Sequence, residues 1–414
     1  MTETPTSRPP PQRLELFKVF VSENALKEVG SVLRSGTLTQ GPRVEQFEGA
    51  LRDYLGAKHV ATVNSATSGL ELALRALRAS HGDWPGLRDG DKVLTPALTC
   101  WAATCAILNE GLEPVWLDAD PATGCASVSD IAAKLTTETK VVEVMHWGGT
   151  PFDVRALDEV LDAAVARLGF RPVVVEDCAH AFGARYLDGR LVGTSGNVCV
   201  FSFQAIKVLT CGDGGAVVLP ASTHGEALNE RCRLLRWFGI DRDRKKEPAS
   251  DGTDYRLEGN VAEHGGKLHM NDYNAVLGLA NLPHVPQLVD SARANAKVLR
   301  TALCQLEHVR PLCLKDDPVC QKASCWLFSV WVTDKATFLR CCARQDVVTS
   351  QVHRRNDAHS CVSHCGGRPL PGLDELELHL ACLPCGWWVT PQDLARIIEA
   401  CQGYETMEFR STQH

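Results

Sequence analysis

Short apolar runs rich in β-branched residues recur through the first half of the chain, and most are separated by segments whose apolar residues return every three or four positions. KHVATV (58–63), DKVLTPAL (91–98), PVWLDAD (114–120), KVVEVMHW (140–147) and RPVVVEDCAH (171–180) read as strands. LELALRALRA, CWAATCAILNEG, SDIAAKLT and RALDEVLDAAVARLG, which fall between them, read as helices. This alternation predicts an α/β fold: a three-layer αβα large domain around a mostly parallel sheet. GNVCVFSF (196–203) and GGAVVLP (214–220) are expected as two further strands joined by a turn rather than a helix. The stretch from Leu14 to Leu55 reads as helical, broken by the Gly-punctuated loop at 35–42.

MNDYNAVLGLANL begins a helix leading toward a smaller C-terminal α+β domain, in which FSVWVTD and ACLPCGWWV read as strands. LDELELHL and PQDLARIIEACQGY read as its helices. The expected organisation is a flexible Pro/Thr-rich tail at 1–12, a large domain at 13–284 and a small domain at 285–414. The charged stretch Asp241–Gly266 reads as a surface excursion, and no internal repeat is visible.

Composition narrows the function classes. The 414 residues carry 43 basic and 50 acidic side chains, a formal charge of −7, which argues against a phosphate backbone as the main partner. No apolar run approaches the roughly 18 residues needed to span a bilayer. The opening MTETPTSRPPPQR lacks the apolar core of a secretion signal, so a cytoplasmic protein is expected. The 18 cysteines are then read as free thiols rather than a disulfide framework. A zinc site built from Cys361, His364, Cys365, Cys382 and Cys385 is the competing reading, although its spacing falls short of a paired knuckle.

In an open parallel sheet, ligands bind beyond the carboxyl ends of the strands. The first strand is followed by Asn64-Ser65-Ala66-Thr67-Ser68-Gly69, small residues that open a helix and suit an anion. Thr99-Cys100-Trp101 follows the second strand and offers a flat aromatic. Asp177 and His180 end another, and Ser202 and Lys207 flank the exit of the next, before the turn CGDGG. A buried lysine has a lowered pKa and attacks carbonyls. Phosphate cradle, aromatic, carboxylate and lysine together are the set that pyridoxal 5'-phosphate requires.

With these residues in order, the chain resembles the DegT-type nucleotide-sugar aminotransferases, pyridoxal-phosphate enzymes of the aspartate-aminotransferase fold (type I). SGTLTQGPRVEQFE, NSATSGLELAL, TPALTCWAATCAIL, VEDCAHAFGA, FSFQAIKVLTCGDGGAVV and GGKLHMNDYNAVLGLANL carry the likeness, with Ala66 standing where a glycine is usual. The resemblance implies that Lys207 anchors the cofactor and shuttles the proton, and that Asp177 holds the ring nitrogen. It implies that His180 lies beside the phenolic oxygen and Trp101 stacks on the ring. Thr67, the Ala66 backbone and Ser202 would then bind the phosphate, and Lys267 would reach the neighbouring subunit's phosphate across a homodimer. The implied reaction takes an amino group from an amino acid, by family habit glutamate, to a nucleotide-diphosphate keto-sugar. Arg236, Arg242, His353, Arg354 and Arg355 are the basic candidates for that substrate. Asn356, Asp357 and His359 resemble a segment of a subset that makes 4-amino-4,6-dideoxy sugars. The alternatives are a deoxysugar dehydratase of the same family, which lacks the lysine, and a non-catalytic sugar-binding or regulatory member. No resident metal, nucleic acid or membrane partner is expected.

Overall fold

The computed structural model describes residues 13–242, 260–313, 318–366 and 369–411. The expected tail and positions 243–259 of the expected excursion lie outside the described residues. Seven strands form one sheet: β1 His59–Val63, β2 Lys92–Pro96, β3 Glu113–Leu117, β4 Thr139–Met145, β5 Val173–Asp177, β6 Val198–Ser202 and β7 Gly215–Leu219. Their order is β1-β7-β6-β5-β4-β2-β3. All neighbours are parallel except that β7 runs antiparallel to both β1 and β6. The link between β6 and β7 contains only turns and no helix to carry the chain across the sheet, so the chain returns antiparallel.

Helices cover both faces. On one, α3 (Ala66–Ala76), α4 (Trp101–Asn109) and α7 (Thr223–Leu235) pack on Val93, Val141, Val175, Val200 and Val217. On the other, α2 (Pro42–Leu55), α5 (Val128–Lys134) and α6 (Val154–Leu168) share a core with Val142, Val144 and Val174. The sequence of α6 explains its limits. Asp153 caps it by accepting from the Ala156 N–H, Val154, Leu157, Leu161, Ala164 and Leu168 make one buried stripe, and Gly169 ends it at φ +81°.

The N-terminal stretch differs from the expected helix. The helix α1 (Ala25–Ser35) begins only at Ala25, and the stretch around Leu14 pairs as a strand does, the Leu14 N–H donating to Asp346 O and the Val348 N–H to Leu14 O. Leu14 and Leu16 are buried and Glu15 is exposed, a period-two pattern that a helix cannot bury. The three-stranded sheet β10-β9-β8 (Leu380–Leu383, Phe328–Val332, Val309–Pro311) is antiparallel. It anchors a second core with the helices Val285–Leu303 and Pro391–Ser411 and, from the far end of the chain, Leu14. ACLPCGWWV is a strand only as far as Leu383. No helix among the described residues is long and apolar enough to cross a membrane.

Candidate active site

At the carboxyl ends of the strands lies a cavity of about 710 Å³, walled by the strand ends, the N-terminal stretch Glu15–Phe17 and the later residues Trp326, Val348, Ser350, Val352 and His353. Six of the expected cofactor residues line it: Ala66, Thr67, Asp177, His180, Ser202 and Lys207. Ala66 and Thr67 form the first turn of α3, where Ser65 accepts from the Ser68 N–H and the remaining free amides of a helix start favour an anion. Ser202 ends β6 across from them. Just beyond, Gly215 allows β7 to pass close: a Cβ there would sit 2.9 Å from Ala66 N.

Asp177 ends β5 and accepts from the Ala179 N–H at 2.9 Å. Burial raises its pKa, while the Ala179 N–H, Lys207 and His146 pull it back. Its neighbour Glu176 faces the other way and is saturated. Tyr186 OH donates at 2.7 Å and Asn197 Nδ2 at 2.8 Å, Ser195 Oγ donates as well, and His146 Nε2 lies at 3.0 Å. Because His146 Nδ1 accepts from the Phe152 N–H, its other nitrogen is the donor toward Glu176. This network fixes the end of β5 and therefore the position of Asp177.

His180 is buried, and that burial, with Lys207 nearby, holds its pKa well below the usual value, so the ring is neutral. Its Nδ1 accepts from the Gly148 N–H at 3.3 Å. The proton therefore sits on Nε2, which has no partner among the described residues. A buried N–H left without an acceptor beside a cavity calls for an oxygen from a bound molecule.

Lys207 lies in the turn after β6, its amide donating to Gln204 O. Its Nζ sits 3.7 Å from the centre of the Trp326 ring. Burial lowers its pKa to about 8 against the opposing pull of Asp177, which leaves a useful fraction of free amine near neutrality. Trp326 was not foreseen from the sequence. Its Nε1 donates to Ile206 O beside the lysine, its ring stacks on Phe17 at 4.8 Å, and it lies 3.9 Å from the His180 ring. Nothing in SCWLFSV marks such a role, because the contacts come from segments far apart in the chain. One signal is visible only in three dimensions: Cys325 and Val352, immediately before the cavity residues Trp326 and His353, have φ of +54° and +71°. Such strain in non-glycine residues clusters at functional sites.

Several expected residues lie elsewhere. Trp101, expected to stack on the cofactor, does not line the cavity; as the first residue of α4 it turns to His359, 4.5 Å away, and Cys100 and Ala102 on either side of it line the wall instead. Of the substrate candidates, His353 lines the cavity, its ring parallel to His180 at 5.6 Å. Burial and Lys207 lower its pKa to about 4, so it is a neutral polar group rather than a cation. Arg236 is buried, donates to Glu48 Oε1 at 2.6 Å and to Thr62 O at 2.8 Å, and does not line the cavity. Arg355 is held by Asp357 at 2.7 Å on both arms and by Asp374. Asn356 is buried and ties its loop to α4 through Thr104 Oγ1 at 3.0 Å. Arg354 is exposed. Arg242 lies over Trp237 at 4.7 Å and bonds Gln40, and Lys267 is exposed with its carbonyl accepting from Asn64 Nδ2; neither lines this cavity.

The competing zinc reading is not assembled. Cys361 and Cys365 lie on an exposed loop, whereas Cys382 and Cys385 are sealed in the core, where Cys385 Sγ donates to Cys325 O at 3.1 Å. The one group among the described residues whose ligand atoms converge is His146, Glu176 and Cys178. Its carboxylate is already saturated by protein donors.

An amine, an acid opposite it, an orphaned imidazole N–H and a helix-start anion cradle around one cavity fit pyridoxal phosphate. The sequence profile described as the DegT/DnrJ/EryC1/StrS aminotransferase family matches residues 20–402. AtS13 from Actinomadura melliaura is 42% identical and superposes with a TM-score of 0.85, covering 95% of this chain and 99% of that one. The sugar aminotransferase CalS13 from Micromonospora echinospora is 38% identical with a TM-score of 0.84, over 94% and 99%. The aminotransferase TlmJ from Streptoalloteichus hindustanus is 28% identical with a TM-score of 0.81, over 96% and 100%. A curated protein of Methanocaldococcus jannaschii, described as uncharacterized protein MJ1066, is 35% identical over 266 residues, 64% of this chain and 63% of that protein. This chain thus spans somewhat less than two thirds of that curated relative.

Proposed function

The chain belongs to the DegT/DnrJ/EryC1/StrS aminotransferase family, and on that footing we infer that it is a pyridoxal-phosphate-dependent aminotransferase of nucleotide-linked keto-sugars. The donor is an amino acid, by family habit glutamate, and the acceptor a 4-keto-6-deoxy sugar, so that a keto acid and an amino-deoxy sugar are the products. The observation that carries the reading is that Lys207, Asp177 and the His180 Nε2–H, unpartnered among the described residues, line one cavity, with Asp177 close enough to act on the Lys207 amine.

When bound, the cofactor supplies an electron sink that makes a carbon–hydrogen bond beside nitrogen acidic. The chain's own residues do the rest. Ser202, Thr67 and the Ala66 amide hold the phosphate, and Asp177 keeps the ring nitrogen protonated. His180 donates to the ring's phenolic oxygen. The Lys207 amine takes a proton from one carbon and returns it to the other, and its lowered pKa suits both directions. Trp326, buried over the amine, keeps water from it.

Lys207 is the one lysine or arginine among the described residues lining the cavity. A carboxylate donor and a diphosphate both need more positive charge than that. Lys267 and Arg242, which lie outside this cavity, are read as serving the site of a second copy, so a homodimer with shared sites is part of the proposal. A reducing, cytoplasmic setting is proposed as well, since none of the 18 cysteines is joined in a disulfide.

The test is to load the protein with pyridoxal phosphate, convert it with glutamate, and offer UDP-, dTDP- and GDP-linked 4-keto-6-deoxy sugars. Amino-sugar formation from at least one acceptor is expected, with none from the Lys207→Ala protein. Loss of the cofactor's visible band with glutamate but no product from any sugar would refute the acceptor class.

A further inference from the structure

Three acidic side chains are buried near the carboxyl ends of β4 and β5, and their surroundings differ. Glu176 receives three side-chain donors besides His146, and its pKa is lowered against the effect of burial. Asp177 has the Ala179 N–H and the fields of Lys207 and His146. Glu143 has the hydroxyl of Thr95 on β2, 3.0 Å from Oε2. Among the described residues no lysine, arginine or histidine forms an ion pair with it.

The register places Glu143 on the cofactor side of the sheet. In β4 and β5, Met145 pairs with Asp177 and Glu143 with Val175. Paired residues of parallel strands share a face, so Glu143 and Asp177 are diagonal neighbours on the face covered by α3 and α4. Two ionised carboxylates so placed in a dry interior are strongly disfavoured, and one holds a proton. Asp177 has the Ala179 N–H and the Lys207 amine, which favour charge. Glu143 has only the Thr95 hydroxyl, which burial together with the charge of Asp177 outweighs, pushing its pKa up to about 8. The ionisable groups that bear on this pair are thus Asp177 itself on β5 and, through Asp177, Lys207 and His146; β2 contributes only a hydroxyl.

We propose that Glu143 is a positioning residue of the cofactor site, staying protonated so that Asp177 alone carries the negative charge that holds the ring nitrogen, and that its ionisation produces an alkaline change in the state of the bound cofactor. The cofactor part rests on the proposed function, whereas the protonated carboxyl does not. A buried acid that keeps its proton far above the ordinary carboxyl range weakens the fold as pH rises. The folded chain binds that proton while the unfolded chain has released it, so stability falls from about pH 4.5 to about pH 8. A neutral amide of the same shape escapes this loss.

Three measurements test it. Infrared spectra of the cofactor-free protein near neutrality should show a protonated-carboxyl band that fades above about pH 8 and is missing from Glu143→Gln. If wild type and variant give the same carboxyl bands, the proposal is overturned without reference to any cofactor. Glu143→Gln should melt several degrees higher than wild type near pH 8, with the gap closing toward about pH 5; a variant that melts lower at both overturns it. In the protein loaded with pyridoxal phosphate, the pH titration of the visible band should coincide for the two proteins below neutrality and diverge above it. Curves that superimpose throughout, or that already differ in acid, overturn the positioning role. Failure to bind pyridoxal phosphate at all would instead strike the proposed function, leaving the infrared and melting results to stand or fall alone.

Discussion

Asp177 and His180 are three positions apart, yet burial shapes them in opposite senses: it raises the carboxyl and lowers the imidazole. In both cases the uncharged form is favoured, and only specific partners restore charge. Asp177 has such partners, which is why it is suited to hold a cationic ring; His180 has none and serves as a fixed N–H donor. Asp177→Asn retains the side-chain volume and the Ala179 contact but removes the charge. The ring nitrogen's pKa should then fall by about 1–3 units, with turnover reduced by orders of magnitude and melting temperature little changed. Spectral titration of the bound cofactor measures the first, and near-normal turnover would remove Asp177 from the chemistry. The strand-end carboxylate and the lysine were legible in the sequence because charged residues ending apolar runs are rare without a purpose. Trp326 was not, because its contacts with His180, Ile206 and Phe17 exist only after distant segments meet.

The phosphate cradle belongs to the level of elements. Strand β1 ends at Val63, Ser65 caps α3, and the loop between is too short to wander. The helix start is therefore delivered to the cavity by its own cap. Ser65→Ala should lower stability by about 1 kcal/mol through loss of the cap. Cofactor affinity should also fall, though less than tenfold, because the amides of Ala66 and Thr67 remain. Thermal melting and an absorbance titration with pyridoxal phosphate read the two effects separately; an unchanged melting point would show that the cap bond is not formed in solution. At the same level, the alternation of strand and helix made β1 to β7 readable, including the β6–β7 pair. The helix expected from Leu14 was misread, since Leu14 and Leu16 alternate with exposed neighbours and add to a surface supplied by Val347. A period of two over so few residues is hard to separate from the start of an amphipathic helix.

Across the whole molecule, Arg236 and Glu48 join α2 to the segment after α7 over 188 positions, and Thr62 of β1 completes the knot. Although burial opposes it, the guanidinium groups of Arg236 and Arg233 hold the Glu48 pKa at about 2. Its folded pKa lies below the ordinary 4.5, so its contribution to stability is present above that value and is lost as pH falls toward 2. Arg236→Met leaves the buried Glu48 charge with only the partly exposed Arg233 as counter-ion and should destabilise the fold by up to about 3 kcal/mol near neutrality, with a smaller effect in acid where Glu48 is neutralised. Denaturant unfolding at the two pH values checks this; an equal loss at both would mean that packing rather than charge is responsible. In the sequence Arg236 looked like a substrate cation, because an arginine in LLRWFG carries no mark of whether a carboxylate waits inside the fold.

The order of apolar runs and amphipathic segments was enough to determine the sheet, its covering helices and the strand ends where Asp177, His180, Ser202 and Lys207 stand, because those features depend on local period and on steric limits common to all chains. Which polar groups remain available to a ligand depends on what each meets from other segments. Glu48 takes Arg236 inward, Asp357 and Asp374 occupy Arg355, and Thr104 holds Asn356, whereas His180 and His353 keep a ring nitrogen without a partner among the described residues. Pairing of that kind is decided by distance in space, which the linear chain does not encode at any one position.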